Sequence, residues 1–235
     1  MEPGQMYFTH DAAVWDAHPS LRAITVVIDD VRSLTSDSSR QERLVPAIEK
    51  RLAASSEAEM PEIAAWREAF ARMGLKPTQY RCASEALLRR YRKDREMPSF
   101  HPLVDYFNFV SMAYGIPIAA FDCAQVTDGI TVRPADGTES YETFQGEVEN
   151  PVPGEVVFAD SAGNAHSRRW TFRQSARSTV RESTERALIV SEALHADAAR
   201  DLSDLGDEIR AGLAGTGATI TAGKPLHAED RRLDF

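Results

Sequence analysis

The chain has 235 residues, of which 43% are hydrophobic and 27% are charged, a composition typical of a globular protein with a sizeable core. Its net charge of −9 argues against a general nucleic-acid coat, so any contact with RNA must be local. No run approaches the roughly 20 apolar residues of a membrane span, and residues 1–10 lack a basic flank followed by an apolar run. We therefore expect a cytoplasmic protein that binds neither a membrane nor DNA.

The first third of the chain predicts a strand and a helical layer. A short helix is expected at residues 11–17, and the β-branched run at 23–28 predicts a strand. Two helices are expected at about 39–54 and 61–73, the second of which ends at Gly74. We assign residues 1–74 to this layer, within the same domain as the segment that follows.

The rest of the chain changes from helices to strands and back. Helices are expected at 82–96 and from Pro102 to Gly115. Short strands separated by Gly-containing turns are expected at 116–121, 130–132, 155–158, 170–172 and 187–190. An acidic helix at 196–214 and a strand at 218–221 come next. This order predicts an α+β fold with a core at 75–195, a C-terminal helix and strand within 196–224, and a charged tail at 225–235.

Three charged residues recur at helical spacing at the start of the helix predicted at 82–96. Arg81, Glu85 and Arg89 follow one another at i, i+4 steps and therefore share one helix face. Such a row is able to hold a carboxylate, a phosphate or a ribose. The alternative is a solvated face whose residues pair with one another, which is the commoner meaning of this spacing.

A second basic stretch runs from Ser161 to Arg181 without an acidic residue. Its cations are Arg168, Arg169, Arg173, Arg177 and Arg181. Trp170 and Phe172 lie among them, so the segment is able to present cations to phosphates beside rings on which bases stack. The alternative is an edge strand with core aromatics and exposed arginines.

The helix that begins at Pro102 combines an apolar face with a polar row. Asp105, Asn108 and Ser111 recur at i, i+3 and i+6 in an otherwise apolar sequence. Polar groups on a half-buried helix need partners, which are either neighbouring backbone groups or a ligand. Spacing alone leaves both open.

No metal site or cofactor is expected. Cys82 and Cys123 lack a Cys-x-x-Cys pattern or a nearby histidine, and we interpret both as packing residues. The chain also lacks a nucleophile elbow, a phosphate-binding glycine loop, a dinucleotide fingerprint and a His-Glu-x-x-His helix.

Several motifs in consistent order resemble the B3/B4 editing domain of the bacterial phenylalanyl-tRNA synthetase β subunit, and especially free-standing B3/B4 proteins. They are His101-Pro-Leu-Val-Asp-Tyr-Phe-Asn108, Tyr114-Gly-Ile-Pro-Ile-Ala-Ala-Phe-Asp122, Val132-Arg133, Gly146-Glu147, Pro153-Gly-Glu155, Val157-Phe-Ala-Asp160 and Arg168-Arg-Trp170. The resemblance spans about residues 70–195. It implies a B3/B4 domain with a mixed or antiparallel sheet and flanking helices.

The resemblance also implies an activity. The synthetase domain proofreads by hydrolysing the ester of a wrongly attached amino acid on the tRNA 3′ end, and free-standing relatives look like deacylases that act in trans. We therefore expect a deacylase for a mischarged tRNA, with either a phenylalanine- or tyrosine-like amino acid or an arginine analogue such as canavanine. The synthetase motif Gly-x-Pro-x-His-Ala-Phe-Asp has Ala119 in place of its histidine here, so no mechanism that rests on that imidazole carries over.

Under this hypothesis the site residues divide into three groups. Asn108, Ser111 and Asp122 are the expected catalytic residues, and Arg81 and Glu85 the expected substrate-binding ones. The tRNA contacts are expected at Arg89, Arg90, Arg168 and Arg169. Structural roles are expected for Asp105 and Asp160. The alternatives are a non-catalytic module that binds tRNA or an amino acid, and an interaction protein that uses its acidic C-terminal helix; in each case a monomer is expected.

Overall fold

The computed structural model describes residues 5–235 and contains six α-helices, three short 3₁₀ helices and twelve strands within that range. The helices are α1 Ala12–Ala17, α2 Ser38–Ala54, α3 Pro61–Arg72, α4 Ala83–Asp94, α5 Pro102–Tyr114 and α6 Ala198–Leu213. The strands are β1 Tyr7–His10, β2 Arg22–Asp29, β3 Ile118–Asp122, β4 Gly129–Pro134, β5 Tyr141–Glu142, β6 Val148–Glu149, β7 Val156–Ala159, β8 Ala165–Arg168, β9 Arg173–Gln174, β10 Ala187–Ala193, β11 Thr219–Leu226 and β12 Arg232–Asp234.

The helix ends follow from local capping. The Asp11 carboxylate accepts a hydrogen bond from the backbone N–H of Ala13 and so starts α1. His101 caps α5 through its Nδ1, and Pro102 occupies the first helical position, where no N–H is needed. Gly115 ends α5 with φ of +71°, a conformation that costs glycine little. All six helices lie within two residues of their predicted bounds.

The strands form two larger sheets and a short hairpin. The six-stranded sheet has the order β12-β1-β4-β7-β8-β9, in which only the β1–β4 pair is parallel. The four-stranded sheet has the order β11-β2-β10-β3 and is antiparallel throughout. Strands β5 and β6 pair with each other. This mixed arrangement with flanking helices confirms the predicted α+β fold.

The main apolar core joins the helices to the sheets, and a second, small cluster is formed by Ala135, Tyr141, Val157, Ala159 and Ala165. Strand β10 is buried at all seven positions because it lies between β2 and β3 and is covered by helices. Trp66 of α3 and Trp170 meet edge to face, with their ring centroids 4.9 Å apart. Such contacts tie the helical layer to the sheets. Among residues 5–235, no helix is both long and apolar enough to cross a bilayer.

Two expectations about local structure are wrong. Residues 170–172 were expected to form a strand, but Arg169 and Trp170 have φ of +48° and +58°, so the chain turns there between β8 and β9. Residues 225–235 were expected to form a tail, but they complete β11 and form β12, which pairs with β1. The first case is a local hairpin turn, in which Arg168 of β8 pairs with Arg173 of β9, whereas in the second case the strands pair with segments far away in the chain.

Candidate functional site

A cleft of about 440 Å³ opens beside α4 and α5. Its wall, which we call the main cleft, is formed by Ala83, Ala86, Leu87, Arg90, Phe100, Val104, Phe107, Asn108, Ile118, Ala120, Phe144, Phe172, Gln174, Thr179 and Val180. The wall is largely apolar and carries a few polar side chains. A concave apolar surface with a small number of polar groups is typical of sites for small ligands, so we take the main cleft as the candidate site.

Asn108 is a polar residue on the α5 side of this wall. Helix α5 directs Val110 and Met112 into the core and leaves Asn108 half-buried at the main cleft. Within residues 5–235 the Asn108 carboxamide has no hydrogen-bond partner. It therefore offers two N–H donors and one acceptor to a ligand. The residue lies where the sequence predicted it, and its catalytic role stays a prediction.

Ser111 and Asp122 lie away from the wall of the main cleft. The Ser111 hydroxyl is buried and donates to the Ile116 carbonyl at 2.7 Å, which closes the turn after α5. The Asp122 carboxylate is buried as well and accepts from the Thr184 hydroxyl at 2.9 Å and from the Ala124 N–H at 3.0 Å. Both side chains have internal partners, so the geometry favours structural roles for them over the expected catalytic ones.

The same polar row on α5 contains Asp105, which holds the preceding loop. Its carboxylate accepts from the Ser99 hydroxyl at 2.6 Å and from the Phe100 N–H at 2.8 Å. Asp160 likewise forms a turn, since its carboxylate accepts from the N–H groups of Ala162 and Asn164. The structural roles predicted for these two carboxylates are confirmed.

Gln174 of β9 joins the main cleft to a smaller cavity. Its side-chain N–H₂ donates to the Ala120 carbonyl at 2.7 Å, which fixes the amide at the wall. The smaller cavity, which we call the inner cavity, has a volume of about 70 Å³. Ala83, Ile118, Phe172 and Gln174 line both spaces. The inner cavity therefore lies directly against the main cleft.

Glu192 is the acidic group of the inner cavity. It is almost fully buried on β10, and its Oε1 lies 2.6 Å from Nε2 of His10 and accepts from the Trp170 indole N–H at 3.0 Å. Ala119, which occupies the histidine position of the resembled motif, lines the same cavity. Sequence reasoning missed Glu192, although an acidic residue inside the apolar run 187–193 was a usable signal.

The row of Arg81, Glu85 and Arg89 forms a buried ion cluster. Glu85 is fully buried and accepts a hydrogen bond from Arg67 at 2.9 Å. The guanidinium groups of Arg81 and Arg89 lie 3.4 and 3.9 Å from the same oxygen. The row is therefore internally paired, as in the alternative, but it is not a solvated helix face, because Glu85 is buried, its Oε2 has no hydrogen-bond partner among the described residues, and Arg81 precedes α4. The substrate-binding roles expected for Arg81 and Glu85 stay predictions that this geometry does not favour.

Arg168 and Arg169 also have acidic partners. Arg168 is buried, donates to both oxygens of Glu155 at 3.0 and 3.1 Å, and pairs with Glu149. The Arg169 guanidinium lies over the Tyr80 ring, 4.7 Å from its centroid. A phosphate would have to displace two carboxylates from Arg168. The geometry therefore favours a structural role for Arg168 over the expected tRNA contact.

Helix α4 carries the cations beside the main cleft, and Arg173 of β9 is a further cation that lines the inner cavity. A shallow depression, which we call the basic hollow, is lined by four basic and two acidic side chains: Glu57, Arg89, Arg90, Arg92, Lys93 and Asp94. Arg90 also lines the main cleft, and its only acidic contact within residues 5–235 is Asp94 at 4.0 Å. Of the four predicted tRNA contacts, Arg89 and Arg90 are thus the ones beside the candidate site.

The cysteines are poor nucleophiles. Burial raises the pKa of the Cys82 thiol to about 11 and that of Cys123 to about 12. Glu62, His195 and Asp201 bring three potential metal ligands within 4.8 Å of one another. However, both oxygens of Glu62 accept hydrogen bonds from Arg51, and Nε2 of His195 lies 2.8 Å from Asp201. Glu62 is therefore held by Arg51 and Asp201 by His195, while Nδ1 of His195 has no hydrogen-bond partner among the described residues.

Comparisons with known proteins connect this site to a family. The profile of the B3/4 domain matches residues 65–206, which include every predicted site residue. Three phenylalanine–tRNA ligase β subunits match shorter segments. The chain is 37% identical to that of Corynebacterium efficiens over 59 residues, or 25% of this chain and 7% of that protein. It is 34% identical to the β subunit of Chromobacterium violaceum over 77 residues, which are 33% of this chain and 10% of that protein. It is 40% identical to the β subunit of Shewanella oneidensis over 65 residues, which are 27% of this chain and 8% of that protein.

A solved structure extends the likeness to nearly the whole chain. An N-terminal fragment of the phenylalanyl-tRNA synthetase β subunit from Pyrococcus horikoshii superimposes with a TM-score of 0.52 and 12% identity. The match covers 97% of this chain and 53% of that one, and at this identity it shows a shared fold. The aligned segments span a tenth or less of the three bacterial β subunits. Because the family profile covers more than half of the sequence, the chain belongs to the B3/4 domain family.

Proposed function

We propose that the protein is an aminoacyl-tRNA deacylase that acts in trans, hydrolysing the ester of a mischarged tRNA. The observation that carries this proposal is the unpartnered Asn108 carboxamide in an apolar cleft of the B3/4 domain. The cleft opens beside the basic hollow, which suits the 3′ end of an RNA. An amino acid attached to that end would enter the main cleft, while the phosphates of the RNA stayed outside at the basic hollow.

The chemistry required is modest, because an aminoacyl ester is already activated. The main cleft has no cysteine, serine or histidine among its wall residues in the described part of the chain. The Thr179 hydroxyl, which does line it, donates to the Ala176 carbonyl at 2.8 Å. We therefore assign the attack to a bound water. Asn108 donates an N–H to the ester carbonyl oxygen, a contact that in other enzymes contributes about 10²-fold to the rate.

The walls favour an amino acid with an apolar body and a donor at its tip. Val104, Ile118 and Phe172 supply apolar surface for the body. The Glu192 carboxylate in the adjoining inner cavity would accept a hydrogen bond from the tip. A tyrosine hydroxyl and the guanidinium-like group of canavanine both carry such a donor, whereas phenylalanine does not. A site with an acceptor at that point discriminates against a ligand that lacks the donor.

The test is release of labelled amino acid from a panel of tRNAs charged with tyrosine, phenylalanine, arginine and canavanine. We expect selective release from one mischarged tRNA. In Asn108→Ala we expect the rate constant to fall about 10²-fold. Ser111→Ala is the matched comparison on the same helix, and we expect it to lower thermal stability while the folded protein keeps its activity. Equal release by wild type and Asn108→Ala would contradict the assignment.

The tRNA contact has its own test. Arg90→Ala should weaken tRNA binding and reduce the slope of log affinity against log salt by about one. Arg210→Ala is a suitable control, because Arg210 has a similar exposure (56% against 53%) and also pairs with an aspartate of its own helix. If the two variants behaved alike, the basic hollow would not be the tRNA contact.

A non-catalytic binding module is the second candidate, and Ala119 favours it. The histidine of the resembled motif is replaced by a methyl group that leaves the inner cavity open. Binding of tRNA or of a free amino acid without release from any charged tRNA would support this module. The monomeric state expected from the sequence stays a prediction, which sedimentation of the purified chain would check.

A further inference from the structure

Two phenylalanine side chains are exposed at the rim of the main cleft. Phe100 is 72% exposed and Phe144 is 62% exposed, and both line the cleft. They come from separate segments, the loop between α4 and α5 and the turn between β5 and β6. Large apolar side chains are costly to leave in water, so two of them on one rim indicate a surface that is covered by something else.

Both rings are attached to fixed backbone. The Asp105 carboxylate accepts hydrogen bonds from the Phe100 N–H and from the Ser99 hydroxyl, which anchors the first loop to α5. Phe144 is the second residue of a tight turn in which the Gly146 N–H donates to the Thr143 carbonyl at 3.0 Å. The exposure of the rings is therefore a built feature of two constrained loops.

The charge beside the rim identifies the kind of ligand. Arg90 lines the main cleft together with the two rings, and it also lines the basic hollow next to Lys93. An exposed aromatic surface beside cations is the combination that binds single-stranded nucleic acid, because bases stack on the rings and phosphates meet the cations. An apolar partner protein would gain nothing from the cations.

We propose that Phe100 and Phe144 form a stacking subsite for the terminal base of a single-stranded RNA 3′ end. This subsite rests on the proposed deacylase function. In it, the terminal base anchors the substrate outside the main cleft. The base lies against the rings at the rim, the adjoining phosphates contact Arg90 and Lys93, and the aminoacyl group extends inward to Asn108. Stacking tolerates any base, whereas the pocket selects the amino acid.

The subsite can be tested without deacylation. A short uncharged RNA ending in CCA, with 2-aminopurine as its last base, loses fluorescence when that base stacks. We expect quenching with the wild-type protein, and we expect Phe100→Leu and Phe144→Leu each to remove it and to weaken binding about 10-fold. Leucine is apolar and the positions are exposed, so folding is retained. Val152→Ala alters a residue that is 62% exposed but lies outside the main cleft, and it should bind like wild type.

An RNA whose last nucleotide lacks its base separates stacking from charge. We expect wild type and both leucine variants to bind this RNA equally, with the salt dependence that Arg90 supplies. If the 2-aminopurine RNA is quenched but no charged tRNA releases its amino acid, the subsite is supported and the deacylase proposal fails. Release by wild type and both variants at equal rates, with equal quenching, would overturn the subsite and leave the deacylase intact. Association of the protein through this rim in place of RNA binding would also overturn it.

Discussion

Replacing Glu85 with glutamine tests whether the ion cluster around this carboxylate stabilises the fold or binds the substrate. Glu85 is fully buried, and a single oxygen of its carboxylate lies 2.9 Å from Arg67, 3.4 Å from Arg81 and 3.9 Å from Arg89. Glu85→Gln keeps the shape and removes the charge. Removing one partner of a buried ion pair costs about 3–5 kcal/mol. Because the three arginines are between a quarter and a half exposed, water takes over part of the lost interaction, and we expect the lower end, about 3 kcal/mol.

Urea unfolding monitored by tryptophan fluorescence gives the free energy directly, since Trp66 and Trp170 are buried and report the transition. With a denaturant slope of about 2 kcal/mol/M, the expected loss lowers the midpoint by about 1.5 M. Asp94→Asn is the control, because it breaks an exposed pair on the same helix and should cost less than about 1 kcal/mol. If Glu85→Gln unfolded like wild type but no longer released amino acid, the structural reasoning would be refuted and the substrate-binding prediction supported.

Three further predictions concern buried groups. Burial alone would raise the pKa of Asp160, but hydrogen bonds from His166 and Asn164 lower it below its ordinary 3.8. The ionised carboxylate therefore stabilises the native state fully above pH 3.8, and this stabilisation is lost as the pH falls below that value. Asp160→Asn should therefore cost about 2 kcal/mol at pH 7, and the difference from wild type should shrink below pH 4; a constant difference down to pH 2 would contradict this. Gly212→Ala should lower the free energy of unfolding by about 1–3 kcal/mol, since the added Cβ would lie 1.9 Å from the Tyr106 hydroxyl; an unchanged melting temperature would show that α6 shifts freely. Both cysteines should resist alkylation by iodoacetamide at pH 8 and react after unfolding in urea, as judged by mass spectrometry; rapid reaction of the native chain would contradict their burial.

The candidate site was predictable from the sequence only in part. Asn108 was found because a polar residue on an apolar helix stands out, and the structure leaves its amide free at the main cleft. Ser111 belongs to the same row and could not be separated from it by spacing. Its partner is the Ile116 carbonyl, which lies beyond the end of the helix. The partner of Asp122 could not be predicted either, because Thr184 lies 62 residues away in the chain.

The arginine-rich stretch shows a second limit of sequence reasoning. The segment 161–181 contains no acidic residue, which suggested free cations. In the structure Glu149 and Glu155 reach Arg168 from earlier in the chain. The charge of Arg168 is therefore balanced in space, whereas Arg173 and Arg181 have no acidic partner among the described residues. Phe100 and Phe144 are the converse case, since their exposure could not be known before the loops that carry them were seen to end at one rim.

The sequence by itself determined the helices, six of the twelve strands of residues 5–235, the fold class and the family resemblance, because capping residues, turn glycines and hydrophobic periods act over a few neighbouring positions. Tertiary structure alone decided which polar groups are free and which are used. In the folded chain, residues 232–234 pair with β1 and three arginines surround Glu85. Glu192 of β10 lines the inner cavity beside the main cleft. These outcomes depend on contacts between segments far apart in the chain, and whether a side chain is available to a ligand follows from those contacts.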